Sequence, residues 1–191
     1  MKQIAILVFD GLADWTIGLT SYELMTRAGQ DVITVGLNRD AVVTGGGLRI
    51  LPDIELSELE PEALEMLILP GGAMWETFAS VDLAETLKRI WQRGIPIAAI
   101  CGSTVFLARH RFFEDVLHTS NSFDYLVDEA QNYVGQENYR DHLAICDGGI
   151  ITAAGTAPED FTYMVLRELG VYSEKMLVEF CEFWHCRLEP A

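Results

Sequence analysis

The sequence predicts an α/β domain in which a mostly parallel sheet is covered by helices on both faces. Three observations predict it. Short continuous apolar runs recur at residues 4–9, 66–69 and 95–100, as in strands buried on both sides. Segments between them carry apolar residues at helical spacing. The two kinds of segment alternate along almost the whole chain, which is the pattern of parallel strands joined by crossover helices. A length of 191 residues, half of them hydrophobic, fits a single domain over residues 1–191 with a sizeable core.

The elements follow in order. Residues 4–9 form the first strand. Asp14 is placed to cap a helix running to about Ala28, with Trp15, Leu19 and Tyr22 on one side and Gly29 ending it. Residues 31–37 form a second strand, and two short extended pieces flank the turn Gly45-Gly46-Gly47. Residues 66–69 form a buried strand closed by Pro70-Gly71-Gly72. Ser80 reads as the cap of a helix whose Leu83, Leu87, Ile90 and Trp91 share one face. Gly94 stops that helix, and residues 95–100 return as a strand that runs into Cys101-Gly102-Ser103 and a short helix over 104–110. Residues 143–154 predict a hairpin turning at Asp147-Gly148-Gly149. Phe161, Met164, Val165 and Leu169 mark one further helix, and Met176, Phe180, Phe183 and Trp184 mark the last.

Composition narrows the function. Thirteen Lys and Arg against 29 Asp and Glu give a formal net charge of −16, which argues against a nucleic-acid or anionic-membrane partner. The N-terminal apolar run ends at Asp10 and reads as a strand rather than a signal peptide. No apolar stretch approaches the ~20 residues of a membrane helix. The expected compartment is therefore the cytoplasm, with reduced thiols. The four cysteines form no CxxC pair. Cys181, His185 and Cys186 gather near the C-terminus, but a zinc site needs about four ligands. No second half is visible, so a thiol-bearing packing helix is expected there and no metal site.

Ligands of such sheets bind at the carboxyl ends of the strands. That rule selects the loops at residues 10–16, 71–75 and 101–104. Cys101 sits directly after a buried strand and directly before a helix. A nucleophile on so sharp a turn is lifted out of the sheet, and the helix N-terminus favours the reactive thiolate. Gly102 leaves room for close approach. Position alone also fits an inert thiol, since free cysteine is among the most buried residue types.

Several segments resemble the DJ-1/PfpI superfamily, relatives of the class I glutamine amidotransferase domain. They are Ile6-Leu7-Val8-Phe9-Asp10-Gly11, Leu67-Ile68-Leu69-Pro70-Gly71-Gly72 and Ala98-Ala99-Ile100-Cys101-Gly102-Ser103. His118-Thr119-Ser120-Asn121 and Thr152-Ala153-Ala154-Gly155-Thr156-Ala157-Pro158 agree in order and spacing. The resemblance implies a flavodoxin-like three-layer sandwich, a homodimer, a small-molecule ligand or substrate, and no cofactor. It implies that Cys101 is the elbow nucleophile, that the Gly72 N–H faces its sulfur, and that the Gly102 N–H completes an oxyanion pocket.

The chain departs from that pattern in two ways. Where the family places an acid beside the cysteine, this chain has Thr16, which cannot act as a general acid or base near neutral pH. Asp14 lies two residues away and would not share a helical face with position 16; helix capping is its plainer role. The protease-like branch has a histidine directly after the cysteine, where this chain has Gly102. Another branch has one near position 121, where this chain has Asn121. His118 is the nearest spare imidazole, and an ordinary surface or strand-end histidine is its plainer reading. Thr16, Trp75, Glu76, Ser103 and Asn121 are candidates to line the pocket. Three functions fit. The first is a cysteine-dependent hydrolase, amidase, hydratase or glyoxalase-like enzyme using Cys101, with His118, Asp14, Glu76 or water moving protons; protease activity is disfavoured. The second is a redox or stress-response sensor in which Cys101 is oxidised. The third is a binding module with an inert thiol.

Overall fold

The computed structural model describes residues 2–78 and 80–187. Seven strands form the central sheet: β1 (Gln3–Val8), β2 (Val32–Gly36), β5 (Ile54–Glu55), β6 (Leu64–Leu69), β7 (Ile97–Ile100), β8 (Ala144–Asp147) and β9 (Ile150–Ala153). Their order is β5-β2-β1-β6-β7-β9-β8. All neighbours pair in parallel except β8 with β9. A separate antiparallel pair, β3 (Val42–Val43) with β4 (Arg49–Ile50), is the hairpin expected around Gly45-Gly46-Gly47.

The continuous apolar runs are the innermost strands. Every residue of Ile97–Ile100, together with Ile4, Leu7, Met66 and Leu67, is fully buried. Such strands have no polar face to show water, so helices must cover both sides. Among the described residues seven helices do so: α1 (Gly18–Tyr22), α2 (Met74–Thr77), α3 (Val81–Gln92), α4 (Ser103–Arg109), α5 (Phe123–Glu129), α6 (Pro158–Glu168) and α7 (Glu174–Trp184). α1, α6 and α7 pack as one group, with α6 against β7, β8 and β9. α2, α4 and α5 pack as another, with α3 and α4 against β7. The result is the flavodoxin-like α/β architecture that the resemblance implied.

Ser80 caps α3 by accepting the Leu83 N–H at 3.2 Å, as its position predicts. The β8–β9 turn places Gly148 at φ 55 and Gly149 at φ 76, the left-handed pair a tight hairpin needs.

Three expectations need revision. The helix predicted from Asp14 to Ala28 is a 3-10 turn (Asp14–Thr16), then α1, then a π turn (Glu23–Arg27). In the π turn the Ala28 N–H reaches back to the Glu23 carbonyl at 2.9 Å. The widened turn seats Glu23, whose buried carboxylate accepts the Tyr172 hydroxyl at 2.5 Å. Asp14 caps nothing: the first 3-10 turn is entered from Ala13, without a side-chain cap. α2 and α5 were not foreseen, because α2 is four residues long and α5 buries only Leu126.

Candidate active site

Cys101 follows β7 on a left-handed turn, φ 63, an uncommon conformation for a side chain with a Cβ. Holding it costs about 1–3 kcal/mol, so the surroundings must over-determine it. They do. The Cys101 N–H donates to the Ala153 carbonyl at 2.9 Å, and its carbonyl accepts the Thr104 hydroxyl at 2.6 Å. Glycines close in around the half-buried thiol. A Cβ on Gly71 would lie 2.8 Å from Cys101 Cβ and 3.3 Å from Sγ; one on Gly155 would lie 2.7 Å from Sγ. A Cβ on Gly102 would meet the Gly72 carbonyl at 2.6 Å. The residue tightest against the sulfur on the β6 loop is therefore Gly71; Gly72, at φ 153, turns its Cα toward Phe9.

Asn121 is brought to the site as expected. Its Oδ1 accepts the Gly155 N–H at 2.9 Å, and its Nδ2 donates toward Cys101 Sγ at 3.7 Å. Glu76 is also there, through a partner that the sequence did not suggest. Tyr125 of α5 donates its hydroxyl to Glu76 Oε1 at 3.3 Å. Burial, then the charges of Glu76 and Cys101, push the Tyr125 hydroxyl well above its ordinary range. It stays protonated and donates its hydrogen bond to Glu76.

Five other candidates serve the frame instead. Thr16 is fully buried; its hydroxyl donates to the Ala13 carbonyl at 2.6 Å and accepts the Gly71 N–H at 3.0 Å. Its single proton is therefore not directed at the sulfur. The Asp14 carboxylate accepts the Gly46 N–H at 2.5 Å and is held below its ordinary range chiefly by the Thr44 hydroxyl. It anchors the glycine turn of the β3–β4 hairpin. His118 is fully buried and stacks on Phe113 with ring centroids 4.1 Å apart. Its Nδ1–H donates to the Val116 carbonyl at 2.9 Å, leaving Nε2 to accept from the Tyr133 hydroxyl. Burial lowers its basicity, and both nitrogens are engaged away from Cys101. Ser103 is buried and shares its hydroxyl proton between the Leu69 and Ile100 carbonyls. Trp75 is fully buried among Phe9, Phe78 and Phe106, its indole N–H on the Pro70 carbonyl at 2.8 Å. It supports Gly102 from beneath rather than walling a pocket.

Two more residues shape the site unannounced. The Arg109 guanidinium donates to the carbonyls of Trp75 and Glu76, and to that of Glu129 at the end of α5. It thereby ties the helix carrying Glu76 to the helix carrying Tyr125. Backbone acceptors leave no signal in a sequence, so this role was invisible. The Trp15 indole, 62 % exposed, donates to the Gly155 carbonyl at 3.1 Å beside the sulfur. For α5 a signal did exist: Ser122 accepts the Tyr125 N–H at 3.0 Å, an ordinary N-cap.

The arrangement presents a strained, half-exposed thiol, an amide donor, and a carboxylate paired with a hydroxyl. Among the described residues no group of three or more His, Cys, Asp or Glu is placed to hold a metal ion. No described helix is long and apolar enough to cross a membrane. A separate cavity of about 750 Å³ lies between α1 and α7 and shares none of these residues.

Comparison with known proteins agrees with the geometry. The model of the DJ-1/PfpI family matches residues 2–168. The chain is 34 % identical to a Bacillus subtilis protein named "Uncharacterized protease YoaZ", over 92 % of this chain and 87 % of that one. It is 30 % identical to "Glutathione-independent glyoxalase DJR-1.2" of Caenorhabditis elegans, over 70 % of this chain and 69 % of that one. The solved structure of a DJ-1 superfamily protein from Agrobacterium tumefaciens superposes with a TM-score of 0.89 at 31 % identity, covering 97 % of this chain and 98 % of that one.

Proposed function

The chain belongs to the DJ-1/PfpI family, and from that premise we propose that it is a cysteine-dependent enzyme acting on small carbonyl compounds, with α-oxoaldehydes as the substrate class. The observation that carries the reading is Cys101 held at φ 63 with its sulfur beside the Asn121 amide, and with the Tyr125 hydroxyl, paired to Glu76, near enough to feel its charge.

The Cys101 thiolate adds to the aldehyde carbon, and the carbonyl electron pair moves to oxygen. The N–H groups of Gly72 and Gly102 hold that oxygen. The Tyr125 hydroxyl is the proton donor that completes the hemithioacetal. Glu76 then takes the proton from the former aldehyde carbon and returns it to the neighbouring carbon, while the hydroxyl proton on the first oxygen passes to the second and the first C–O bond becomes a carbonyl. This leaves a 2-hydroxy thioester on Cys101. Water hydrolyses it, freeing the 2-hydroxy acid and the thiol. The net reaction adds one water to the oxoaldehyde, with no external oxidant or reductant. The C. elegans relative named as a glyoxalase supports this choice within the wider hydrolase, amidase and hydratase set. Peptide hydrolysis is disfavoured because position 102 has no room for a side chain beside the Gly72 carbonyl.

The test is turnover of methylglyoxal followed by product acid. Wild type is expected to convert it, Cys101→Ala to lose all enzymatic conversion while keeping its fold, and Glu76→Gln to lose roughly 10²–10⁴-fold in kcat. No conversion by folded wild type would overturn the reading. A second reading, oxidation of Cys101 in a sensor, is favoured by the Asn121 amide at 3.7 Å, which could donate to a sulfinate oxygen. Its mark is peroxide modification confined to Cys101 without turnover. Under either reading we propose a homodimer, on the family resemblance.

A further inference from the structure

We propose that Cys181 and Cys186 form a redox-active dithiol, a site separate from Cys101, that closes to an internal disulfide by exchange with a low-molecular-weight disulfide. The placement follows from how α7 ends. His185 turns into the left-handed region at φ 57 and ψ 44, and its N–H donates to the Cys181 carbonyl. The next N–H, that of Cys186, donates to the same carbonyl at 3.1 Å. That backward reach across the helix end is the Schellman arrangement, which packs the two residues it joins against each other, usually as an apolar contact. Here both are cysteines, so the end of the helix sets two thiols side by side.

A direct backbone bond between the two residues keeps their Cα atoms within about the 4.4–6.8 Å that a disulfide spans. Both thiols are half-buried rather than sealed in the core. The segment is also held in place. Cys186 Sγ reaches the Glu159 carbonyl at 3.8 Å, and the Arg187 N–H donates to Asp160 Oδ1 at 2.7 Å. Closing the bridge therefore needs side-chain rotation and no backbone rearrangement. Two cysteines and one histidine fall short of the four ligands of a structural zinc site, which leaves thiol chemistry as the use of the pair.

Cys186 directs its S–H at the Glu159 carbonyl at 3.8 Å, so the exchange starts from the Cys181 thiolate. That thiolate attacks one sulfur of oxidised glutathione; the S–S bond breaks, one glutathione leaves as thiolate, and a mixed disulfide remains on Cys181. The Cys186 thiolate then attacks the Cys181 sulfur and expels the second glutathione. The two protons given up by the protein end on the two glutathiones. The protein loses two electrons and glutathione disulfide gains them. Burial disfavours both thiolates, as does the Asp160 carboxylate, with Glu159 adding to this at Cys186. The exchange therefore quickens as pH rises.

The experiment treats full-length protein with oxidised glutathione, quenches it with acid and a maleimide, and maps tryptic peptides by mass. The peptide from Met176 to Arg187 holds both cysteines. In wild type and in Cys101→Ala alike, it is expected to become lighter by two hydrogens, without adduct, and to revert with dithiothreitol. Cys186→Ser is expected to trap one glutathione on Cys181. Retention of both free thiols, or stable separate adducts on Cys181 and Cys186, would overturn the proposal. The outcome in Cys101→Ala keeps this result independent of the proposed enzymatic activity.

Discussion

Cys101 occupies a backbone conformation that glycine adopts freely and cysteine does not. A residue kept there against that cost is one whose side chain is needed. Its neighbours are small for the same reason. Gly155→Ala would drive a methyl group to 2.7 Å from the sulfur. It is expected to cut methylglyoxal turnover at least tenfold and to lower thermal stability, since something must shift to accept the added atom. Thr16→Val removes the acceptor of the buried Gly71 N–H, and a loss of about 1–3 kcal/mol in denaturant unfolding should follow. His118 carries a pH signature of opposite origin. Burial lowers its proton affinity below the unfolded value of 6.5. The unfolded chain thus binds the extra proton first, and stability present above pH 6.5 is lost as pH falls below it. Half-buried His110 is shifted the same way, also by burial first. His118→Asn should flatten most of the change in unfolding midpoint between about pH 7.5 and 5.5 without abolishing turnover. Cys101 and Asn121 could be read from motifs because their spacing to the strand ends is fixed. The engagement of both His118 nitrogens could not, because Phe113, Val116 and Tyr133 meet the ring only in three dimensions.

At the scale of elements, the apolar runs announced β1, β6 and β7, and glycines such as Gly29 and Gly94 marked where the chain turns. The helix from Asp14 to Ala28 was legible in length and apolar side but not in its internal breaks. A single buried carboxylate, Glu23, meets Tyr172 from the far end of the chain where the turn widens. α2 and α5 lacked a periodic stripe, so Tyr125 entered the site unseen. These two short helices are joined to each other by Arg109. Arg109→Met should leave Cys101 in place but free the helices that carry Glu76 and Tyr125. Hydrogen exchange is expected to accelerate at residues 74–77 and 123–129, with kcat for methylglyoxal falling while wild-type secondary structure persists. Unchanged exchange in both helices would show that the guanidinium does not hold them.

For the whole molecule, the sheet order brings the carboxyl ends of β1, β6, β7 and β9 to one edge, where Cys101 meets Gly71 and Gly155. Parallel strands with crossover helices impose this geometry, which is why the position of the site was legible before its occupants. The acid expected from the first loop is absent, and α2, which follows β6, carries Glu76 paired with Tyr125. If the chain assembles as the resemblance implies, sedimentation equilibrium should return a mass twice the 21.3 kDa of one chain. A single-chain mass across the concentration range would contradict the dimer.

The central claim is that Cys101 is the reactive thiol of this protein. Limited alkylation with iodoacetamide near neutral pH, followed by peptide mass spectrometry, tests it most directly. Burial and nearby carboxylates push the Cys146 thiol up to about 12, and Cys181 and Cys186 are raised as well, chiefly by burial. Those three are expected to label slowly, and Cys101 to label first, with the rate slowed by an α-oxoaldehyde that competes for the same sulfur. Resistance of Cys101 under conditions that label Cys181 or Cys186 would contradict the account and leave an inert thiol on an enzyme-like fold.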